Sequence, residues 1–260
     1  MCGRYASSRR PEDLLEEFEV VESRVDHALP ADYNVAPTKE VYAVLERAPS
    51  KDSAARAEEG AQRPSRSEPP QRQLRIVRWG LVPSWAKDPS IGNRMINARM
   101  ETVADKPAYK RAFAVRRCLL PADGYFEWYP TPQQTRAGKP LKQPFFIRPQ
   151  DGGTLAMAGL YEIWRDPTRP DDDPERFRWT CTVLTTQAED AVGHIHDRMP
   201  LMVEPDRWGA WLDPTLSAKD DLLDLLVPAA PGRLEAYPVS TDVNNVRNNG
   251  PELVEPIPAQ

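Results

Sequence analysis

The run Leu155-Ala156-Met157-Ala158-Gly159-Leu160-Tyr161-Glu162-Ile163-Trp164, the polar stretch Asp166 to Pro174 and the run Trp179-Thr180-Cys181-Thr182-Val183-Leu184-Thr185 decide the fold. Both apolar runs read as strands, and the Pro- and Asp-rich stretch between them is expected to join them as a hairpin. Working outward, Val41 to Leu45, Leu74 to Val82 and Phe145 to Ile147 read as further strands. Gly124-Tyr125-Phe126-Glu127-Trp128-Tyr129 fits a strand as well, with Phe126 and Trp128 on one face and Glu127 on the other. Helical patterns are short and irregularly placed, at Pro11 to Phe18, Lys106 to Val115, Asp206 to Leu212 and Asp220 to Leu226. In the first of these Pro11 suits the opening turn, Glu12 and Asp13 favour its positive end, and Leu14, Leu15 and Phe18 share a face. Strands dominate and no alternating strand–helix rhythm appears. The expectation is an α+β single domain with a mostly antiparallel, barrel-like β-sheet flanked by short helices.

With 260 residues and 40% hydrophobic content the chain can bury a substantial core, and its 28 Pro agree with many loops and short strands. Residues 48–73 are rich in Ala, Arg, Glu, Ser and Pro and lack any large apolar side chain. Such a segment buries too little surface to offset the entropy of ordering, so a disordered insertion is expected inside one domain spanning residues 1–260. No apolar run approaches the ~18 residues that cross a bilayer, and no basic-then-apolar leader opens the chain, which predicts a cytoplasmic protein without a membrane partner. Cys2, Cys118 and Cys181 are far apart with no CxxC spacing, which argues against a zinc site and a disulfide framework. Cys118 and Cys181 sit among apolar residues and are expected to be buried. The net charge of −5 speaks weakly against nucleic acid. Between Asn93 and Arg117, however, seven basic residues face two acidic ones, a local +5 that allows a basic face or simply a solvated helix.

The candidate chemistry begins at Met1-Cys2-Gly3-Arg4-Tyr5. Removal of Met1, expected before a small residue, leaves Cys2 with an α-amine beside its thiol. The amine, with an ordinary pKa of about 7.7–8.0, condenses with an aldehyde to an imine, and the thiol closes a five-membered thiazolidine on the same carbon. Equally, Cys2 is an ordinary N-terminal residue. Glu127, set among aromatics, has the surroundings that raise a carboxyl pKa and suit a general acid; alternatively it is an exposed strand residue. His196, in Gly193-His194-Ile195-His196-Asp197-Arg198-Met199-Pro200, can move protons. His194 and His196 lack a third ligand at a convincing spacing, so no metal and no cofactor are expected. Asn97 and Arg99 share a face if extended, where an amide orients a sugar and a guanidinium clamps a phosphate; a turn and a surface residue is the structural alternative.

Taken in order, Met1-Cys2-Gly3-Arg4-Tyr5, Tyr33-Asn34-Val35-Ala36-Pro37, Trp79-Gly80-Leu81-Val82-Pro83-Ser84-Trp85, Asn97-Ala98-Arg99-Met100-Glu101-Thr102, Gly124-Tyr125-Phe126-Glu127-Trp128 and His196-Asp197-Arg198-Met199-Pro200 resemble the SRAP family. These are the SOS response-associated peptidase, or abasic site processing, proteins of bacteria and eukaryotes. Pro238-Val239-Ser240 and Val243-Asn244-Asn245-Val246-Arg247-Asn248 are similar too, so the likeness covers the chain except the insertion. The resemblance implies single-stranded DNA as partner and capture of an abasic aldehyde by Cys2 as a thiazolidine, with Asn97, Glu127 and His196 as active-site companions. It also implies phosphate contacts from Arg4, Arg99 and Arg198, a loop near the lesion holding Asn34 and Pro37, and base stacking on Trp79 and Trp85. Peptidase-like self-processing, crosslink reversal and AP-lyase activity come with it. A monomer is expected, at the nucleoid if the source is bacterial; replication-fork proteins are candidate partners on which the sequence itself is silent. Two other readings stand beside this one. Glutamine amidotransferases also begin Met-Cys-Gly, so an N-terminal-nucleophile amidohydrolase would use the Cys2 thiol on an amide, although no Gly-rich asparagine loop suits an oxyanion hole. A non-catalytic single-strand binder would leave Cys2 incidental.

Overall fold

A computed structural model describes residues 2–47, 69–134, 137–188 and 190–258. In chain order the strands and helices are β1 (Tyr5–Ser7), α1 (Pro11–Glu17), β2 (Glu22–Arg24), β3 (Asp32–Val35), β4 (Glu40–Arg47), β5 (Gln71–Trp79), β6 (Asn97–Arg99), α2 (Lys110–Val115), β7 (Arg117–Ala122), β8 (Gly124–Gln134), β9 (Pro140–Pro149), β10 (Leu155–Arg165), β11 (Phe177–Gln187), α3 (Asp190–Gly193), β12 (Arg198–Pro200), α4 (Trp208–Leu212), α5 (Lys219–Leu223) and β13 (Leu234–Pro238). The expected α+β, barrel-like architecture is present, and its seam is the expected hairpin. β10 and β11 pair antiparallel from Gly159↔Val183 to Arg165↔Phe177.

From that hairpin the ladder runs antiparallel through β7, β4 and β5. A short parallel pairing, Thr180↔Arg78 and Cys181↔Trp79, returns β5 to β11 and closes a five-stranded barrel. Closure hides backbone groups that an open sheet would leave at its edges. A second, antiparallel sheet in the order β13-β9-β8-β1-β3 carries the N-terminal strand.

β10 is buried on both faces along nearly its whole length, which is why it reads as a near-continuous apolar run rather than an alternating one. Ala43, Leu45, Val77, Trp79, Cys118, Leu120, Tyr161, Cys181 and Val183 pack in one cluster that Cys2, Tyr5 and Tyr125 complete at one end. Val44, Leu119, Leu160 and Leu184 face the other way, against Leu14, Phe18, Phe113, Trp211 and Leu212 from the helices. Cys118 and Cys181 are buried thiols, as the sequence suggests. At Gly159 the interior leaves no room for a side chain: a Cβ there would meet Cys118 Sγ at 2.9 Å. Gly80 has φ +126°, a left-handed conformation that favours glycine, and lies against the backbone of Gly92.

Two expectations need correction. The sequence suggests a disordered insertion at residues 48–73, but Gln71, Arg72 and Gln73 open β5, with Gln73 paired to Leu45 and only 2% exposed. Their polarity is absorbed by side-chain partners: Gln73 Nε2 donates to Glu22 at 2.6 Å and Arg72 Nε to Glu46 at 3.1 Å. Residues 48–68 lie outside the described residues. The basic stretch from Asn93 to Arg117 is not one face either. Arg117 is buried and donates to the carbonyls of Trp211, Phe113, Ala114 and Leu216 at 2.6, 2.9, 2.7 and 3.1 Å, tying the helices to β7. Among the described residues no helix is long and apolar enough to cross a membrane.

Candidate active site

Antiparallel pairing of β1 with β8 sets Tyr5 opposite Tyr125, and the ladder continues through Phe126 N donating to Arg4 O at 2.9 Å. One further step in that register brings Gly3 opposite Glu127, with Cys2 just beyond. Cys2 is fully buried, and its Sγ makes a long contact of 3.9 Å with Arg4 O. Its carbonyl accepts Asn97 Nδ2 at 2.7 Å. Asn97 is delivered there by β6, which runs parallel to β11 with Asn97 opposite Val183. Tyr109 Oη donates to the Asn97 carbonyl at 3.2 Å, while Asn97 Oδ1 is buried and has no hydrogen-bond partner among the described residues.

Electrostatics link the rest. Glu127 is 3% exposed, and burial pushes its carboxyl up to about 7. Lys142 pulls it back, whereas Asp197 pushes the same way as burial. Burial, and then the nearby Glu127 charge, hold the Cys2 thiol well above its ordinary value. Half-buried His196 is lowered, chiefly by burial. Two contacts at His196 compete, because Nδ1 lies 3.0 Å from the Arg198 amide and 3.0 Å from Asp197 Oδ1. The first requires an unprotonated Nδ1, the second a protonated one. The neutral ring agrees with the lowered pKa, and the Asp197 side chain is 87% exposed and so well screened. Nδ1 therefore accepts the Arg198 amide, which puts the ring proton on Nε2.

β11 also joins the two arginine motifs. Arg99 on β6 pairs with Thr185, and Arg198 on β12 pairs with Gln187. Arg99 is exposed on an open depression of about 530 Å³ that Gln187, His194, Asp197 and Arg198 also line. Arg198 grips the Glu101 carboxylate at 2.6 and 3.1 Å. Arg4 Nη1 is spent on Asn34 Oδ1 at 2.6 Å and Val243 O at 2.8 Å, and its guanidinium lies 5.7 Å from the Trp128 ring centroid. Among the described residues no group of three or more His, Cys, Asp or Glu is placed to hold a metal ion.

Two sequence expectations change here. Trp79 is 0% exposed, donates Nε1 to Ile96 O and packs on Tyr5, so it has no face for a base, whereas Trp85 is 59% exposed. Asn34 lies in β3 rather than in a loop and is fully buried. Its Nδ2 donates to Val243, Asn245 and Asn248 carbonyls at 3.3, 3.1 and 3.0 Å, pinning the C-terminal segment, and Pro37 follows in a half-buried turn. The structure adds Lys142, opposite Pro130 in β9, whose charge acts on both Glu127 and His196. Nothing in the local sequence around Lys142 marks it out.

Residues 1–246 match the model of the SOS response associated peptidase (SRAP) family. Abasic site processing protein YoqW of Bacillus subtilis is 33% identical over 98% of this chain and 99% of its own length. Abasic site processing protein YedK of Escherichia coli is 31% identical over 99% of this chain and 100% of its own. A crystal structure of a Bacteroides thetaiotaomicron protein superposes with a TM-score of 0.76 at 22% identity, covering 98% of this chain and 100% of that one, a likeness of fold. With a family match that runs from the first residue through nearly the whole chain, and relatives aligned end to end, the chain belongs to the SOS response associated peptidase (SRAP) family.

Proposed function

We propose that this chain processes abasic sites, capturing them in single-stranded DNA by closing a thiazolidine between Cys2 and the aldehyde of the ring-opened deoxyribose. The observation that carries this reading is the setting of Cys2. It becomes the first residue once Met1 is removed, it is held through its carbonyl by Asn97 at 2.7 Å, and it lies in the field of a buried carboxyl, Glu127, whose pKa burial raises. That relatives over the full length are named abasic site processing proteins supports the substrate.

A protonated Glu127, its pKa raised by burial, gives its proton to the sugar ring oxygen while the C1′ hydroxyl gives its own to water, and the ring opens to the C1′ aldehyde. The Cys2 amine attacks C1′ and water leaves, forming the imine. The thiol then adds to the imine carbon while its proton passes to nitrogen, so aldehyde and aminothiol give thiazolidine and one water. A thiol held protonated by burial leaves the first attack to the amine, and the second is intramolecular. Asn97 Oδ1 offers a buried acceptor to a sugar hydroxyl or to the freed amine. Neutral His196 shuttles protons in formation and reversal of the adduct. The imine also acidifies the neighbouring C–H, so β-elimination gives the lyase branch, and self-processing at the N-terminus belongs to the same reading. Along the strand, Arg99 meets phosphate directly, Arg4 with its remaining nitrogens and Arg198 by exchanging Glu101, while Trp85 stacks a base.

Incubation of the mature protein with an oligonucleotide bearing one abasic site should give a denaturant-resistant adduct without borohydride. Cys2→Ala, or retention of Met1 behind an N-terminal tag, should abolish it. An adduct mapped by mass spectrometry to a lysine would overturn the reading.

A further inference from the structure

The end of the barrel opposite Cys2 carries a second charged cluster. Interior positions run Val183, Cys181, Trp179 along β11 and Trp79, Val77, Arg75 along β5. At about 3.3 Å per residue, Arg75 and Trp179 lie roughly 13 Å along the strands from the layer that packs beneath Cys2. There the guanidinium carbons of Arg75 and Arg47 stand 4.2 and 5.1 Å from the Trp179 ring centroid. Trp179 in turn stacks on Tyr161, with centroids 5.6 Å apart and planes at 15°. Arg24 on β2 brings a third guanidinium whose charge, with that of Arg47, acts on Arg75.

Among the described residues Arg47 and Arg75 are under-compensated. Among the described residues neither Arg47 nor Arg75 forms an ion pair; Arg75 Nε donates only to Gln73 Oε1, at 3.1 Å. Glu22, the carboxylate whose field reaches Arg75, is already held by Arg24 and by Gln73 Nε2. Half-buried guanidiniums that repel one another are stabilised by an anion placed between them. We propose that this far mouth of the barrel binds a compact oxyanion of the phosphate class, gripped by Arg47 and Arg75 over the floor of Trp179. Forked guanidinium donors match a tetrahedral oxyanion, and the aromatic floor, already covered by arginine, leaves no face for a base. The anion comes either from a free phosphate or nucleotide, or from the backbone of a bound strand.

The site is independent of the Cys2 chemistry, and the test keeps the two apart. Full-length protein is titrated with inorganic pyrophosphate, deoxyadenosine 5′-monophosphate and an intact oligonucleotide, following the indole NMR resonance of Trp179, assigned with Trp179→Phe. A saturable shift is expected, weakened at least tenfold by Arg75→Met and by Arg47→Gln and unchanged by Cys2→Ala. Response to the two small anions assigns free phosphate, and response to the oligonucleotide alone assigns backbone phosphate. Arg47→Gln changes a half-exposed strand end, so it keeps the test readable if Arg75→Met fails to fold. No saturable shift with any of the three, or unchanged affinity in Arg47→Gln, would overturn the proposal.

Discussion

Glu127 is where burial and the proposed chemistry act on the same atoms. Its carboxyl moves from an ordinary 4.5 to about 7, so between those pH values the folded chain keeps a proton that the unfolded chain has released. The sign follows: this contribution to stability is complete below pH 4.5 and is lost as pH rises through about 7. Glu127→Gln keeps the shape without the charge, so its urea stability should be flatter than the wild type's across that window. The same substitution removes the proposed acid. Adduct formation should slow by about 10²–10⁴-fold, and the decline in rate above pH 7 should vanish. A decline that persists in Glu127→Gln would assign it to another group. What was legible at this scale was residue type in local context, which pointed to Cys2, Asn97 and Glu127. Lys142 was not, because Pro140-Leu141-Lys142-Gln143 carries no chemical pattern, and only the pairing of β8 with β9 aims its charge at the site. Trp79 and Trp85 share one motif, yet one is 0% and the other 59% exposed. Burial of the first is decided by β5 meeting β11, a contact remote in sequence.

At the scale of the element, the β10–β11 hairpin is both the best-read part of the chain and the one with least tolerance. Gly159→Ala would set a methyl 2.9 Å from Cys118 Sγ and 3.0 Å from Leu120 Cδ1, inside a barrel with no slack. Overpacking of this kind costs typically about 1–3 kcal/mol. If the clash with sulfur is the cause, Cys118→Ala in the same background should recover part of the loss, an interaction that a double-mutant cycle in urea reads directly. Additive effects would place the strain elsewhere. Long strands with internal burial declared themselves: the expected Leu155 to Trp164 became Leu155–Arg165, and Trp179 to Thr185 became Phe177–Gln187. β7 was missed for a physical reason. Pro121 argues against a central strand, but β7 pairs with β4 only at Leu119 and Cys118, so Pro121 withholds no hydrogen bond on that side. β1, β2, β6 and β12 are three residues each, too short for any period to show, and they exist because neighbouring strands offer them partners.

Across the whole molecule, an acidic chain with net charge −5 is proposed to hold a polyanion, and the disposition of its guanidiniums limits how it does so. Arg117 is consumed by backbone carbonyls, and Arg116 by Glu162 at 2.9 Å. Only Arg4, Arg99 and Arg198 are proposed to reach the strand beside Cys2, and two of those already have partners. Few phosphate contacts release few counterions. For single strands each contributes about 0.7 to the slope of log K against log salt, so the expected slope is roughly −2. Binding of an intact oligonucleotide to Cys2→Ala, followed by fluorescence anisotropy, should weaken by about an order of magnitude between 50 and 200 mM salt. Arg99→Ala should make that slope shallower by about 0.7, because Arg99 is the exposed member of the three. A slope steeper than about −4 would demand a long basic track, and tight capture would then rest on that track rather than on the covalent bond at Cys2.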